Sequence, residues 1–176
     1  KNDIHIPLSF AWAVRLLNDY SDADRDVCLL AILLHDIGWY AIDMDDIIEK
    51  GFSGPNMLQS DVRYLHESEG VRLGAQVLQA TGWDADVIAQ VCEIIDGHDT
   101  RPDPRHLNDR IVRDADKLWR FDVTGIAVAC DWFKLTPRAY ADRLEVQKDK
   151  LETEAGRKYA TETLAASRKA LMLHVI

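Results

Sequence analysis

Six side chains of the types that bind metal ions fall on the apolar faces of predicted helices, and this pattern restricts the fold more than any other feature of the chain. An imidazole or a carboxylate is tolerated on a dry helical face only when it is paired, hydrogen-bonded or metal-bound. Six inward-facing residues of this kind therefore predict one shared polar centre, with a metal ion as its occupant. They are His5, His35, Asp36, His66, His98 and Asp116.

The faces are assigned from helical spacing, because residues three or four apart lie on the same side of a helix. His5 is in phase with Leu8 and Trp12, and His66 is in phase with Val62. A single inward histidine is more often a hydrogen-bonded core residue than a ligand. Six coincidences of this kind in one chain are much less expected than one common site.

The apolar pattern has the period of helices along the whole chain, with no alternating run typical of strands and no internal repeat. It predicts an all-α fold. With 176 residues, of which 47% are hydrophobic, the chain is long enough for one core. We therefore expect a single domain over residues 1–176, with a metal-site core at 1–120 and a C-terminal helical extension at 121–176. The predicted helices span about 6–20, 22–38, 43–50, 61–82, 84–97, 107–120, 123–135 and from 137 onward, the last broken near Gly156, with a loop at 51–60.

Composition excludes several classes of partner. The net charge of −9 argues against broad binding to a nucleic-acid backbone, which requires a basic surface. No apolar run approaches the ~20 residues that span a bilayer, so no membrane span is predicted. Cys28, Cys92 and Cys130 are odd in number and widely spaced, which is typical of reduced thiols and predicts a cytoplasmic protein. The sequence gives no indication of oligomeric state.

The order and local context of the six residues resemble the HD superfamily of metal-dependent phosphohydrolases. His35 and Asp36 lie in the string LLHDIG and Asp116 lies in RDADKL, and the likeness extends from the first helix to about Arg120. The later segment LETEAGRKYA is similar to the tail of small stand-alone bacterial HD hydrolases, some of which cleave nucleotides. The resemblance implies an HD-domain helical bundle in which His5, His35, Asp36 and Asp116 hold one divalent ion.

Two further histidines open the question of how many ions are bound. In HD proteins with such a pair, a carboxylate corresponding to Asp36 bridges two ions, and this chain has both His66 and His98. The ligand types suit Mn²⁺, Fe²⁺, Co²⁺, Ni²⁺ or Zn²⁺, so one or two such ions per chain are expected. The same ligand order occurs in di-iron oxygenases of the superfamily. A non-catalytic HD domain that binds a nucleotide or a partner is the third interpretation.

The favoured function is hydrolysis of a small phosphorylated metabolite, above all a nucleotide, by attack of metal-bound water. Asp36 is then catalytic through the metal. Lys117 is the expected phosphate contact, with Arg101 and Arg120 as further substrate-binding residues. Glu67 lies next to His66 in the sequence and is a candidate general base or support for a metal ligand, as is Asp99, next to His98. For all of these the competing interpretation is an ordinary solvated surface charge.

Overall fold

The computed structural model describes residues 2–43, 45 and 61–173. Within these ranges every regular element is helical, which confirms the predicted all-α class. The helix and loop predicted at 43–50 and 51–60 lie almost wholly outside the described residues. The α-helices are α1 (Asn2–Leu16), α2 (Arg25–Leu34), α3 (Asp61–Ala80), α4 (Ala85–Ile95), α5 (Leu107–Leu118), α6 (Val123–Phe133), α7 (Pro137–Gln147) and α8 (Glu154–Ala170), with short 3₁₀ turns at Ile37–Ala41, Trp119–Phe121 and Lys148–Lys150.

Helix α1 begins four residues earlier than predicted and ends at Leu16 rather than Tyr20. Pro7 lies inside the helix, where its missing N–H removes one backbone hydrogen bond. Asp3 is in the first turn, where a negative charge favours the helix dipole. The early start places His5 within the helix, on the face that buries Ala13 and Leu16.

Helix α2 leads directly into the His35-Asp36 pair. Its N-cap is Asp24, whose carboxylate accepts a hydrogen bond from the Val27 backbone N–H at 3.0 Å, so the helix begins at Arg25 rather than at the predicted residue 22. The helix ends at Leu34, before the predicted stop near Gly38. His35 is its C-cap, and Asp36 precedes the next 3₁₀ turn. The pair therefore leaves the helix at its buried end.

The C-terminal region contains two helices, and the break between them is not at Gly156. That glycine lies in the first turn of α8, where Thr153 is the N-cap and accepts from the Gly156 N–H at 2.9 Å. The buried Asp114 carboxylate accepts from the Thr153 N–H and hydroxyl at 2.8 and 2.6 Å and from the Glu152 N–H at 2.8 Å. A Cβ on Gly156 would lie 2.3 Å from the Asp114 Oδ2. Close approach to this carboxylate, and not helix breaking, therefore explains the glycine.

The described chain forms two compact units, residues 23–112 and residues 1–22 with 113–176. In the first unit, α2 and α3 both pack against α4, and α3 also packs against the turn Ile37–Ala41. In the second unit, α6 packs against Trp119–Phe121 and α7, and α7 packs against α8. The single-domain organisation with a boundary at residue 120 stays a prediction. None of the described helices has the length and apolar character needed to cross a membrane.

Candidate metal centre

Three histidines and one aspartate lie together in the unit formed by residues 23–112. The Nε2 atoms of His66 and His98 are 3.4 Å apart, and each is 3.9 Å from Oδ1 of Asp36. Nε2 of His35 is 3.7 Å from Oδ2 of Asp36. The three imidazoles are at most 6% exposed. Residues from the end of α2, the middle of α3 and the end of α4 thus place three ring nitrogens around one carboxylate.

Two glycines allow this convergence. A Cβ on Gly38 would lie 1.8 Å from the His66 carbonyl oxygen and 2.5 Å from the Gly70 nitrogen, so only glycine lets the turn after Asp36 lie against α3. On the α3 side, a Cβ on Gly70 would be 3.5 Å from the His35 carbonyl oxygen.

Backbone carbonyls orient two of the rings. Nδ1 of His35 lies 2.8 Å from the Ile32 carbonyl, and Nδ1 of His98 lies 2.8 Å from the Ile95 carbonyl. A carbonyl oxygen can only accept, so in each pair Nδ1 carries the proton and donates it. In the neutral ring the lone pair is then on Nε2, the nitrogen nearest to Asp36. A ring held at one nitrogen by a carbonyl is the usual arrangement of a histidine that ligates a metal through the other.

His66 is held by a residue that the sequence analysis did not identify, Trp39. The two rings stack with centroids 4.1 Å apart and planes within 8°, and the indole N–H donates to Oδ1 of Asp36 at 2.9 Å. Burial, followed by the neighbouring His98, lowers the pKa of His66 from 6.5 to about 4. The imidazole is therefore neutral near pH 7, as a ligand must be. The only sequence signal for Trp39 is its place three residues after Asp36.

The spacing of these atoms fits a divalent ion. Asp36, His66 and His98 each offer one ligand atom, and the three atoms lie within 4.8 Å of one another. Two nitrogens ~2.1 Å from one tetrahedral ion are ~3.4 Å apart, which matches the separation of the two Nε2 atoms. Oδ1 of Asp36 is 3.9 Å from each of these Nε2 atoms, so a shift of about half an ångström would bring it to the same separation from them. The donor set of imidazole nitrogens and one carboxylate also suits the transition metals predicted from the sequence.

The carboxylate of Glu67, predicted as a general base, is engaged elsewhere. It is 2% exposed and accepts from the Asp99 N–H at 2.8 Å, the Thr100 N–H at 2.9 Å and the Thr100 hydroxyl at 2.5 Å. Glu67 thus fixes the turn that follows His98, which fits the predicted support for a metal ligand, while its predicted role as a general base stays a prediction. Two further carboxylates lie near the ring nitrogens: Oε1 of Glu67 is 3.9 Å from Nδ1 of His98, and Oδ2 of Asp99 is 4.0 Å from Nε2 of His66.

Arg101, predicted to bind substrate, is also committed to other groups. Its guanidinium donates to the Asp109 carboxylate at 2.7 Å and to the backbone carbonyls of Asp96 and Glu93. These contacts fasten the segment between α4 and α5. The helical phase could not reveal them, because Arg101 lies in a loop and its partners are five and eight residues before it and eight residues after it. A part for Arg101 in substrate binding stays a prediction.

In the unit formed by residues 1–22 and 113–176, two other predicted ligands lie side by side. Nε2 of His5 is 3.3 Å from Oδ1 of Asp116, and Nδ1 of His5 is 3.2 Å from the Ser9 hydroxyl. The indole of Trp119 packs against the His5 ring, with centroids 5.1 Å apart. Both ligand candidates are buried. That His5 and Asp116 share an ion with His35 and Asp36 stays a prediction of the sequence resemblance.

Two comparisons with known proteins gave a match. The model of the HD domain family matches residues 5–120. A solved structure of a predicted HD superfamily hydrolase from an uncultured Thermotogales bacterium superposes with a TM-score of 0.64, covering 97% of this chain and 78% of that one at 20% sequence identity. At this identity the similarity shows the fold. No curated protein matches the chain significantly.

Proposed function

This chain belongs to the HD-domain family, and we propose that it is a metal-dependent phosphohydrolase acting on a small phosphorylated metabolite, with nucleotides as the favoured class. The observation that carries the proposal is the cluster of Asp36, His66 and His98, whose ligand atoms have the spacing of a divalent metal site. The preference for a nucleotide rests on the similarity of LETEAGRKYA to the tail of small bacterial HD hydrolases.

A divalent ion, when bound, supplies two effects needed for phosphoester hydrolysis: it lowers the pKa of a coordinated water and polarises a phosphoryl oxygen. The residues around it keep the ligands aligned. His98 is oriented by the Ile95 carbonyl, and His66 is held by its stack on Trp39. Asp36 is oriented by the Trp39 N–H. These contacts exist among the chain's own groups, so the ligands are preorganised.

We assign the proton-accepting role to Asp99 in place of Glu67. Oδ2 of Asp99 lies 4.0 Å from Nε2 of His66 and 2.7 Å from Nη1 of Arg63. The Arg63 guanidinium keeps this carboxylate next to the ring nitrogens, where it can accept a proton from an attacking water. Glu67, which accepts three hydrogen bonds, supports the Asp99 backbone instead.

For the number of ions we propose two. His66, His98 and Asp36 form one set of ligands, and the resemblance to the two-metal HD proteins assigns His5, His35 and Asp116 to a second ion that Asp36 bridges. This second assignment rests on the sequence resemblance alone. Metals of the Mn²⁺ to Zn²⁺ series are expected in both positions. The three cysteines are free, in keeping with a cytoplasmic location, which we also propose.

The test combines metal analysis of protein purified without added metal with assays of phosphate and pyrophosphate release on a panel of nucleotides and simple phosphomonoesters. Asp36→Asn should lose metal and turnover together. Asp26→Asn, an equal change at an exposed position in the first turn of α2, is the matched control and should keep both. Full metal content and turnover in Asp36→Asn would falsify the proposed site.

The two alternative functions give different results in the same experiment. Two iron atoms per chain with oxygen consumption and no phosphate release would identify an oxygenase. Nucleotide binding without any turnover in the metal-loaded protein would identify a binding domain.

The number of bound ions is tested separately. His98→Ala should lower the metal content from two ions per chain to one, whereas His106→Ala, at a histidine outside the cluster, should leave the metal content unchanged.

A further inference from the structure

An ion pair lies at the edge of the cluster formed by Asp36, His66 and His98. Nη1 of Arg63 donates to Oδ2 of Asp99 at 2.7 Å, and the same oxygen is 4.0 Å from Nε2 of His66. Arg63 precedes His66 by about one turn of α3, and Asp99 follows His98 directly. One anionic oxygen therefore already lies between a guanidinium and a ring nitrogen of the candidate metal centre.

Asp99 is the most accessible of the carboxylates that lie within 4.0 Å of a ring nitrogen of His66 or of its neighbour in the cluster, among the residues that the structure describes. Its side chain is 27% exposed, compared with 14% for Asp36 and 3% for Glu67. The side chain of its partner Arg63 is 15% exposed, and the His66 imidazole is fully buried. A ligand that approaches His66 from solvent is therefore expected to meet this ion pair first.

The turn that carries Asp99 is held through its backbone. The buried Glu67 carboxylate accepts from the Asp99 N–H at 2.8 Å and from the Thr100 N–H at 2.9 Å. A rotation of the Asp99 side chain about its Cα–Cβ bond would break the ion pair with Arg63 and leave both hydrogen bonds in place. Because partly exposed ion pairs contribute little to stability, a more highly charged anion can take the place of this carboxylate.

We propose that the Asp99 carboxylate occupies the position of a substrate phosphoryl oxygen, and that Arg63 binds the terminal phosphoryl group of a phosphate monoester in exchange for Asp99. A guanidinium can donate two parallel hydrogen bonds to a phosphoryl group, and these charge-assisted bonds are stronger than neutral ones. The displaced carboxylate stays on the turn after His98, as the proton acceptor proposed above. The exchange rests on the proposed function, because it requires the phosphoryl group at the metal centre.

The substrate class follows from the number of oxygens that the phosphoryl group presents. A monoester has three terminal oxygens and up to two negative charges, whereas a diester has two such oxygens and one charge. A monoester therefore offers Arg63 an additional acceptor and a stronger attraction than the Asp99 carboxylate. Lys117 and Arg120, which the sequence predicts as substrate contacts, line a cavity in the unit formed by residues 1–22 and 113–176, and their part stays a prediction.

The test measures binding of phenylphosphonate to the Zn²⁺-loaded full chain by isothermal titration calorimetry. This probe has the terminal oxygens of a phosphate monoester, and its carbon–phosphorus bond is not hydrolysed. Arg63→Gln should weaken binding about tenfold or more, with the metal content of the parent, because Arg63 supplies none of the proposed ligand atoms. Arg72→Gln is the matched control, since Arg72 lies on the same helix, is 51% exposed and is paired with Glu69. It should bind the probe like the parent.

The exchange itself is tested at Asp99. Asp99→Asn removes the charge that competes for Arg63, so phenylphosphonate should bind about threefold more tightly than to the parent. Asp61→Asn, an equal change at an exposed position in the first turn of α3, should leave the affinity unchanged. If Asp99 served only to hold Arg63 in place, Asp99→Asn would weaken binding as Arg63→Gln does. Unchanged or weaker binding by Asp99→Asn would overturn the exchange.

Selectivity for a monoester is tested with the monomethyl ester of phenylphosphonate, which has one terminal oxygen fewer and a single charge. The parent should bind this ester about tenfold more weakly than phenylphosphonate, and most of that difference should be lost in Arg63→Gln. An equal preference in the two proteins, or no saturable phenylphosphonate binding by the parent, would overturn the assignment to Arg63. Failure of the proposed hydrolase function is a separate result, since it would appear as absence of phosphate release with phenylphosphonate binding intact.

Discussion

Trp39 offers the sharpest test of the metal centre, because one conservative change removes its hydrogen bond to Asp36 and keeps an aromatic ring beside His66. Trp39→Phe keeps an aromatic ring that can stack on His66, as the indole does at 4.1 Å. It deletes the N–H that donates to Oδ1 of Asp36 at 2.9 Å. A metal-ligand carboxylate would then lack a donor that holds one of its oxygens in place.

The magnitude follows from the kind of bond that is lost. A hydrogen bond to a charged group contributes ~1.5–3 kcal/mol, and a loss of ~1.4 kcal/mol is a tenfold change in affinity. Groups that orient metal ligands change metal affinity by ~10–100-fold, the same range. We therefore expect Trp39→Phe to weaken binding of the tightest divalent ion by about tenfold or more.

The assay is a competition titration of Zn²⁺ or Mn²⁺ against a chromophoric chelator, with thermal unfolding of the metal-free variant to show that the fold is intact. Trp83→Phe is the matched control, since Trp83 lies in the same unit, is 36% exposed and makes no contact with the cluster among the described residues. It should bind metal like the parent. Metal affinity of Trp39→Phe within about twofold of the parent would refute the reasoning.

Three further outcomes are expected. Gly38→Ala should lower the free energy of unfolding by about 3 kcal/mol or more, because the added Cβ meets backbone atoms. Gly74→Ala is the control, since its Cβ would meet only a side-chain methyl at 3.3 Å. Equal melting temperatures for the two variants would contradict this prediction. Gly156→Ala should cost about 1–3 kcal/mol by crowding a buried carboxylate, and an unchanged denaturant midpoint would argue against that contact. Cys28 is fully buried, and burial raises its pKa to about 12, so iodoacetamide should modify Cys92 in the native protein but Cys28 only after unfolding. Mass mapping that found equal labelling of the two would contradict it.

Helical periodicity predicted the class of fold, and the order and local context of the six residues gave the resemblance to the family, because both depend on short-range patterns. The phase of α3 and α4 placed His66 and His98 beside Asp36, where the structure has them, although their part as ligands stays a prediction. The positions agree because each of these residues continues the apolar face of its own helix. Burial of that face then turns the side chain toward the other elements of the unit.

What the sequence could not predict are contacts between segments that are distant in the sequence. The carboxylate of Glu67 accepts hydrogen bonds from residues 99 and 100, and helical phase carries no information on that pairing, so it could not decide between a general base and a support for a metal ligand. Gly156 was interpreted as a helix break for the same reason, because its close partner is Asp114. Two residues of the segment LETEAGRKYA therefore have a structural role: Thr153 donates hydrogen bonds to the buried Asp114 carboxylate, and Gly156 leaves room for it.

The carbonyls that aim His35 and His98 each belong to the residue three positions earlier in the sequence. Each of these two rings is therefore oriented by a carbonyl only three residues away. A rigid shift of the helix end then moves the ring and its carbonyl together. Such a shift changes where a ring nitrogen lies without rotating the ring or changing which nitrogen is protonated. A change in helix packing would therefore alter the distance between the rings, and with it the ionic radius that fits between them, while each ring keeps its orientation and its protonated nitrogen.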